Sequence, residues 1–432
     1  MKLDITKFIN YLNLYKLNTY GISIIKNNEK IYEQYFYPYD ENKLHRMFSV
    51  TKSFTGLAIL LLINDYKLKL ADDITKFVNY PKKDILIPKT TIKDLLTMKT
   101  PHYMTTYKFI NNDNYLESFF KSKPSNLPNA IFQYDTSSSY VLSYIVEKIT
   151  KMDLLDYLKL RLKELELSKE SYIIKSKENI SLGGSGLIAK LTDIEKVGLL
   201  YLNKGVYNNK QLIDSKLIKQ AISIQSFTDY KEEIELRNGY GYQIWKVRND
   251  GFMFFGLGDQ LVIGYPKEKL LITIISDNQH LKGSINTIFN GIYTYLIKLK
   301  ENNIKQIKYN NNFIKEYNFN SDMNLLKIDK IKIDLKNNNL LIKKSSIDYL
   351  FNFIPNSNLI TTFPNSKYKI NLITKIIDSN NIFFDIYFID EIIGSLKFFI
   401  NYNDKNLTIK VINHLESNYS DWKLIASGYA SN

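Results

Sequence analysis

The chain has 432 residues, no cysteine and a formal net charge of +14 at pH 7. A chain of this length is expected to form two domains, and its content of 44% hydrophobic and 14% aromatic residues excludes a disordered protein. The absence of cysteine excludes disulfide bonds, thiolate metal sites and cysteine nucleophiles, and it fits a reducing compartment.

The positive charge has two interpretations. Nucleic-acid binding would require basic residues that cluster on one face of the fold. In this chain the basic residues are interleaved with acidic ones, as in KEEIELRNG, and Lys, Asn, Ile and Tyr are frequent along the whole sequence. We therefore favour a compositional bias and expect no nucleic-acid partner.

The first 18 residues carry charges and asparagines and contain no apolar run of the kind that signal peptides have. No later segment approaches the roughly 20 apolar residues that span a bilayer. We expect no membrane span and a cytoplasmic location.

The predicted elements of the first 300 residues suggest a sheet that is built from both ends of this region. Residues 20–37 predict a hairpin around Asn27-Asn28, and residues 49–66 predict a helix. Helical periodicity dominates from Thr90 to about Leu202, three strands follow in 252–276, and an amphipathic helix covers about 283–300. The predicted fold class is therefore α+β, with one antiparallel sheet and a helical insert.

The residue pattern of the sequence changes after about residue 302. Short alternating runs recur between asparagine-rich turns, for example KIKIDLKNNNLLIKK and SLKFFINYNDKNLTIKVI. We predict one domain over residues 1–302 and a C-terminal antiparallel all-β domain over residues 303–432.

The first chemical signal is the spacing of Ser49 and Lys52. Residues three apart on a helix face the same way, and the apolar run that follows would place the pair at the edge of a core. Burial lowers the pKa of a lysine, so that its neutral amine can take the proton of a serine. The alternative is a serine that caps the helix and a lysine on the surface, since Ser-x-x-Lys occurs at several other positions of this chain.

Two later segments add to this signal. Tyr134 stands just before a predicted helix and could exchange a proton near Lys52, although it could also be an ordinary loop tyrosine. The strand that ends in Gly256-Leu257-Gly258 allows the backbone to approach a ligand closely. An N–H group there could pair with that of Ser49 to form an oxyanion hole, or the glycines could form a plain turn.

The order of these segments resembles the β-lactamase-related serine hydrolases, which include class C β-lactamases, penicillin-binding D,D-peptidases and many esterases. The resemblance covers about residues 20–300 and leaves out the tail. It rests on these segments: MFSVTKSFTGLAILLLINDYKLKLADDITKFV, TTIKDLLTMKTPHY, FQYDTSSSYVLSYIVEKITKMDLLDYL, SLGGSGLIAKLTDIEKVGLLYLNKGVYNNKQLI, and YGYQIW followed by GLGDQLVIGYP.

The resemblance implies a β-lactamase/transpeptidase-like fold and a role for each matched residue. Ser49 would be the acylated nucleophile, Lys52 its general base and Tyr134 the partner acid/base. The backbone N–H groups of Ser49 and Leu257 would form the oxyanion hole. The predicted substrate pocket contains His102, Thr136, Gly256, Gly258 and Asp259.

Several residues depart from the family pattern. Thr136 replaces the usual asparagine, and no Lys-Thr-Gly is present on the strand that ends at Gly258, so no cationic group for a β-lactam or peptide carboxylate is apparent there. Asp259 stands where glycine is common, and Pro101 replaces the glycine before His102. These departures argue against a β-lactamase or D,D-peptidase and favour an esterase or amidase; a β-lactamase or D-amino-acid peptidase stays as an alternative. They also leave open a catalytically impaired binding protein on the same scaffold.

We expect no cofactor and no metal. The four histidines, His45, His102, His280 and His414, are too scattered in sequence for a recognisable metal motif. His102 either lines the pocket or is a helix-end histidine. The expected partner is a small-molecule ester or amide, and the sequence does not specify the oligomeric state.

Overall fold

The computed structural model describes residues 3–79, 82–108, 114–299, 309–415 and 419–431. The described residues up to 299 are called here the N-terminal domain, and those from 309 onward the C-terminal domain. The predicted boundary at 302/303 falls within residues 300–308, which lie outside the described residues.

The N-terminal domain is built around one antiparallel sheet of six strands, in the order β2-β1-β11-β10-β9-β8. Strand β1 pairs with β11, so that both ends of this domain meet in the sheet, which confirms the α+β prediction. The strands of this domain are β1 Thr19–Lys26, β2 Glu29–Tyr35, β3 His45–Arg46, β4 Tyr172–Ile173, β5 Leu187–Ala189, β6 Val206–Tyr207, β7 Lys210–Gln211, β8 Trp245–Val247, β9 Gly251–Gly256, β10 Gln260–Tyr265 and β11 Leu270–Ser276.

Strands β1 and β2 form the predicted hairpin. Its two turn residues, Asn27 and Asn28, have φ angles of 52° and 67°. A two-residue turn between twisted strands requires this left-handed conformation, which asparagine tolerates better than most residues.

The helices between β2 and β8 form the predicted insert and cover one face of the sheet. Helix α2 is buried along its length and packs between β9 and α5, while α7 lies on β10 and β11. The helices are α1 Ile5–Leu14, α2 Thr51–Asn64, α3 Ile92–Leu96, α4 Tyr115–Lys121, α5 Thr136–Thr150, α6 Leu154–Arg161, α7 Leu191–Leu202, α8 Ser215–Ala221 and α9 Ser284–Gly291.

Two helix boundaries differ from the sequence prediction. The helix expected over residues 49–66 begins as an α-helix only at Thr51, because Ser49 belongs to a preceding 3₁₀ turn, Phe48–Val50. The helix expected over about 283–300 is α-helical only to Gly291 and continues as a π turn over Ile292–Leu296. Both differences occur at helix ends, where hydrophobic periodicity carries the least information.

The C-terminal domain is a curled antiparallel sheet of ten strands, in the order β15-β14-β13-β12-β21-β20-β19-β18-β17-β16. Apolar side chains fill its inside, where Trp422 stacks on Phe398 with ring centroids 5.4 Å apart. The strands are β12 Ile314–Asn318, β13 Ile328–Asp334, β14 Asn339–Lys344, β15 Ile347–Asn352, β16 Asn358–Thr362, β17 Lys369–Ile376, β18 Asn381–Ile389, β19 Ile393–Tyr402, β20 Asn406–Asn413 and β21 Leu424–Ala430.

The outer face of this curled sheet packs on the N-terminal domain. Phe383 and Phe399, whose neighbours along the strands point into the sheet, belong to the same apolar cluster as Tyr230. The rings of Tyr230 and Phe399 lie 5.7 Å apart, and the Leu127 N–H donates to Ser427 Oγ at 3.1 Å. The two domains therefore share buried surface as well as a covalent link.

Within the described part of the chain, every helix is too short or too polar to cross a membrane.

A variant that ends at Lys300 should fold, because all six strands of the N-terminal sheet lie within residues 19–276. It should unfold cooperatively at a lower Tm than the full chain, since it exposes the apolar surface that Phe383 and Phe399 cover. Circular dichroism during heating measures both properties. An insoluble or non-cooperative variant would show that the C-terminal sheet is part of the folding core.

Candidate active site

Ser49 lies in a sharp turn between strand β3 and helix α2. The residue before it, Phe48, has a φ angle of 46°, a left-handed conformation that is costly for a residue with a large side chain. Ser49 is only partly buried, whereas α2 continues directly into the core. The turn thus leaves the Ser49 hydroxyl accessible at the edge of a buried helix.

Lys52 is 1% exposed and directs its amine toward this hydroxyl. Its Nζ lies 3.1 Å from Ser49 Oγ and donates to the carbonyl of Gly184 at 2.6 Å. Burial lowers the pKa of Lys52 to about 7; the negative charge of Asp135 opposes this shift, and the positive charge of Lys108 adds to it. A substantial fraction of the amine is therefore neutral near neutral pH.

The pocket around the Lys52 amine has little spare space. Thr136 Oγ1 lies 3.4 Å from Lys52 Nζ. A side chain on Gly184 would place its Cβ only 2.4 Å from the Thr136 methyl carbon and 3.4 Å from Lys52 Nζ. Glycine at 184 therefore allows its carbonyl to reach the amine. The sequence shows glycines at positions 183 and 184, but it does not show the contact with Lys52.

Tyr134 is brought to the same place by the start of helix α5. The Asp135 side chain accepts a hydrogen bond from the Ser137 N–H and so fixes where this helix begins. The Tyr134 ring centroid is 4.9 Å from Lys52 Nζ. Burial raises the pKa of Tyr134 to about 12, although a hydrogen bond with Ser49 partly offsets this effect. The phenol is therefore protonated at neutral pH.

Asp135 is itself buried beside the Lys52 amine. Burial raises the pKa of its carboxyl group to about 6, against the lowering effect of hydrogen bonds from Ser137 and Thr100 and of the charge on Lys52. The sequence analysis assigned no role to this residue, although an aspartate just before a predicted helix is a capping signal.

The end of strand β9 lies against the 3₁₀ turn that contains Ser49. A Cβ on Gly256 would come within 2.2 Å of the Met47 carbonyl oxygen, so only glycine permits this approach. Leu257 and Gly258 form the turn that follows, and Gly258 has a φ angle of 79°. Gln260 Nε2 donates to the Leu257 carbonyl at 3.1 Å and so holds the turn.

His102 and Asp259, both predicted to line the pocket, have partners elsewhere. His102 is 3% exposed, its Nε2 lies 2.8 Å from the Phe119 carbonyl oxygen, and burial lowers its pKa to about 4. Asp259 is buried and accepts a hydrogen bond from Asn278 Nδ2 at 3.0 Å. These contacts fix loops near the site, so neither side chain is included in the pocket that we propose.

An aromatic wall that the sequence analysis did not find extends from Tyr134. Trp245 stacks on Tyr134 with ring centroids 5.5 Å apart. Lys231 Nζ lies 5.8 Å from the centroids of both rings. Residues 134, 231 and 245 are far apart in sequence, and no spacing motif connects them.

The match to a known family covers most of the N-terminal domain. Residues 12–286 match the family described as Beta-lactamase. The chain belongs to this family. It is 25% identical over 279 residues to an uncharacterised protein of Alkalihalophilus pseudofirmus, a match that covers 58% of this chain and 79% of the relative.

Solved structures with the same fold include one that covers the whole chain. An octameric penicillin-binding protein homologue from Pyrococcus abyssi matches with a TM-score of 0.55 and 16% identity, over 99% of this chain and 100% of its own. The hydrolase EstCE1, which has promiscuous acyltransferase activity, matches with a TM-score of 0.55 and 12% identity, over 67% and 98% of the two chains. At these identities the likeness establishes the β-lactamase/transpeptidase-like fold alone.

The opposite effects of Asp135 and Lys108 on the pKa of Lys52 can be measured directly. Asp135→Asn should lower the pKa of Lys52, because it removes an attractive negative charge, while Lys108→Met should raise it. The readout is the ¹³Cε chemical shift of Lys52 against pH in lysine-labelled protein, assigned with Lys52→Met. The wild-type midpoint should lie near 7. A midpoint near that of a free lysine, or shifts in the same direction for both variants, would contradict this account.

Proposed function

We propose that this protein is a serine hydrolase that cleaves an ester or amide bond through an acyl-enzyme on Ser49. The observation that carries the proposal is the 3.1 Å separation between Ser49 Oγ and Lys52 Nζ, together with a lysine pKa lowered to about 7. A neutral amine at this distance can accept the serine proton, which a surface lysine with an ordinary pKa could not do efficiently.

In the acylation step, Ser49 Oγ attacks the carbonyl carbon of the substrate and its proton passes to Lys52 Nζ. The negative charge that develops on the carbonyl oxygen is stabilised by the backbone N–H groups of Ser49 and Leu257. The support for this pairing is the close packing of Gly256 on the Met47 carbonyl, which brings the end of β9 beside the nucleophile turn.

The leaving group departs with a proton that Tyr134 delivers. The phenol, whose pKa is raised to about 12, holds its proton at neutral pH and shares a hydrogen bond with Ser49. The proton on Lys52 then returns to the phenolate, which restores the neutral amine. In the second half-reaction water attacks the acyl-serine and the acid product is released, with the same groups exchanging protons.

The alternative of a catalytically impaired binding protein rested on Asp259 and Pro101. Asp259 is hydrogen-bonded to Asn278, and the Pro101 carbonyl accepts the Ser125 N–H at 2.9 Å. Both residues have structural contacts that leave Ser49 and Lys52 paired. These contacts weaken the argument for an impaired site, and we place the hydrolase first.

The first test is covalent labelling of Ser49. A fluorophosphonate probe should add one adduct to the wild-type protein, detected by intact mass, and Ser49→Ala should abolish it because the attacking oxygen is gone. Ser53→Ala is the matched control, since Ser53 is a buried serine of helix α2 whose hydroxyl donates to the Gln243 carbonyl. Labelling that survives Ser49→Ala would move the nucleophile elsewhere.

The same probe tests the role of Lys52. The labelling rate of the wild-type protein should rise with pH through an apparent pKa near 7, as the amine loses its proton. Because Lys52 and Tyr134 interact, this midpoint belongs to the pair. Lys52→Arg should fold and label at least about 100-fold more slowly, because a guanidinium does not deprotonate in this range. Near-native labelling of that variant would exclude Lys52 as the base.

A substrate panel separates the esterase and amidase branch from the β-lactamase alternative. We expect short p-nitrophenyl esters to turn over and nitrocefin to be hydrolysed poorly. Thr136 hydrogen-bonds to Lys52 where the family has an asparagine, and the turn after β9 offers no lysine to a β-lactam carboxylate. Efficient nitrocefin hydrolysis would show that these departures do not prevent β-lactam cleavage.

A further inference from the structure

A second positively charged group lies beside the aromatic wall of the site. Lys231 follows Tyr230, which packs against the C-terminal domain, and its Nζ faces the rings of Tyr134 and Trp245. Lys231 is half-buried, and burial lowers its pKa even though Glu232 and Glu233 attract its charge. No ion pair of Lys231 occurs within the described ranges.

A third lysine reaches the same place from the C-terminal domain. Lys410, on strand β20, donates to Gln133 Oε1 at 2.9 Å, and its Nζ lies 4.1 Å from the centre of the Tyr230 ring. Gln133 directly precedes Tyr134, and Tyr230 directly precedes Lys231. Lys410 therefore contacts the two residues of the N-terminal domain that directly precede Tyr134 and Lys231.

The two ammonium groups repel each other, and no carboxylate among the described residues forms an ion pair with either of them. Burial lowers the pKa of Lys410 to about 7, and the charge of Lys231 adds to that effect. Neither lysine forms a salt bridge with any of the described residues. In addition, the buried Nε2 of Gln133 has no hydrogen-bond partner in the described part of the chain. Neighbouring cationic donors without an anionic acceptor are costly for the empty protein and favour the binding of an anion.

We propose that Lys231 and Lys410 bind a carboxylate of the substrate, so that the C-terminal sheet takes part in substrate recognition. The proposal rests on the proposed hydrolase function, and it narrows the substrate class to esters or amides that carry a carboxylate near the scissile carbonyl. A carboxylate has two oxygens and can accept from both amines. The positive charge of the two lysines lies on the Tyr134–Trp245 side of the site and not on the turn after β9.

Only the outer face of the C-terminal sheet can contribute side chains to the site. Its inside is filled by aromatic and aliphatic side chains, including the Trp422–Phe398 stack. Its outer face carries Phe399 against Tyr230 and Lys410 against Gln133. The domain therefore acts on the site through its outer surface.

The kinetic test compares matched neutral and carboxylated esters on the full-length protein. One pair, p-nitrophenyl pentanoate and mono-p-nitrophenyl glutarate, places the charge on the acyl side. The second pair, the butyrate esters of methyl 4-hydroxybenzoate and of 4-hydroxybenzoate, places it on the leaving group. We expect the ratio of kcat/KM, carboxylated over neutral, to be about tenfold or more for one pair, as one charge-assisted hydrogen bond supplies.

Lys231→Met and Lys410→Met should each lower this ratio by about tenfold, whereas Lys410→Arg should keep it. Lys397→Met is the matched control and should not change the ratio, because Lys397 lies on neighbouring strand β19 and is paired with Asp385 at 2.7 Å. A wild-type ratio near one for both pairs, or a ratio unchanged by both methionine variants, would overturn the proposal.

A binding measurement separates failure of this subsite from failure of the proposed hydrolase function. The chain has two tryptophans, so Ser49→Ala/Trp422→Phe leaves Trp245 as the only one. Monomethyl glutarate should change the fluorescence of this variant saturably, while dimethyl glutarate should not. Adding Lys231→Met or Lys410→Met should weaken the binding about tenfold. An equal fluorescence change with monomethyl and dimethyl glutarate would refute the carboxylate site at Lys231 and Lys410. Whether Ser49 is the nucleophile is tested separately by fluorophosphonate labelling.

Discussion

The site depends on the burial of one lysine amine. A shift of the Lys52 pKa from 10.5 to about 7 corresponds to roughly 5 kcal/mol between its charged and neutral forms, which is more than the ~1 kcal/mol of an ordinary hydrogen bond. Helix α2 produces this shift because it is buried almost from its first turn. The Gly184 carbonyl and Thr136 hydroxyl then hold the amine beside Ser49 without adding a full negative charge.

The architecture provides this burial by packing chain segments that are distant in sequence around the start of α2. Strand β9 ends against the Met47 carbonyl because residue 256 has no side chain. Helix α5 begins where Asp135 caps it, and this sets the position of Tyr134. Each contact fixes one group around Ser49, so the geometry of the pair depends on the packing of the whole N-terminal domain.

The C-terminal sheet extends this dependence to the second domain. Its outer face shares an apolar cluster with the N-terminal domain and brings Lys410 to the residue that precedes Tyr134. Docking between the domains and the charge near the aromatic wall are therefore linked, because Phe399 and Lys410 are paired residues on the neighbouring strands β19 and β20. A change that loosens the docking should also move the charge.

The elements that depend on local chemistry could be predicted from the sequence. The Asn27-Asn28 hairpin, the apolar run of α2 and the alternating strands of the tail all follow from periodicity and turn residues, and the spacing of Ser49 and Lys52 identified the candidate pair. Packing in three dimensions set the contacts of His102 with Phe119, of Lys52 with Gly184 and of Lys231 with Trp245. These contacts join residues tens to hundreds of positions apart, and their distances are set by packing, which no local pattern records.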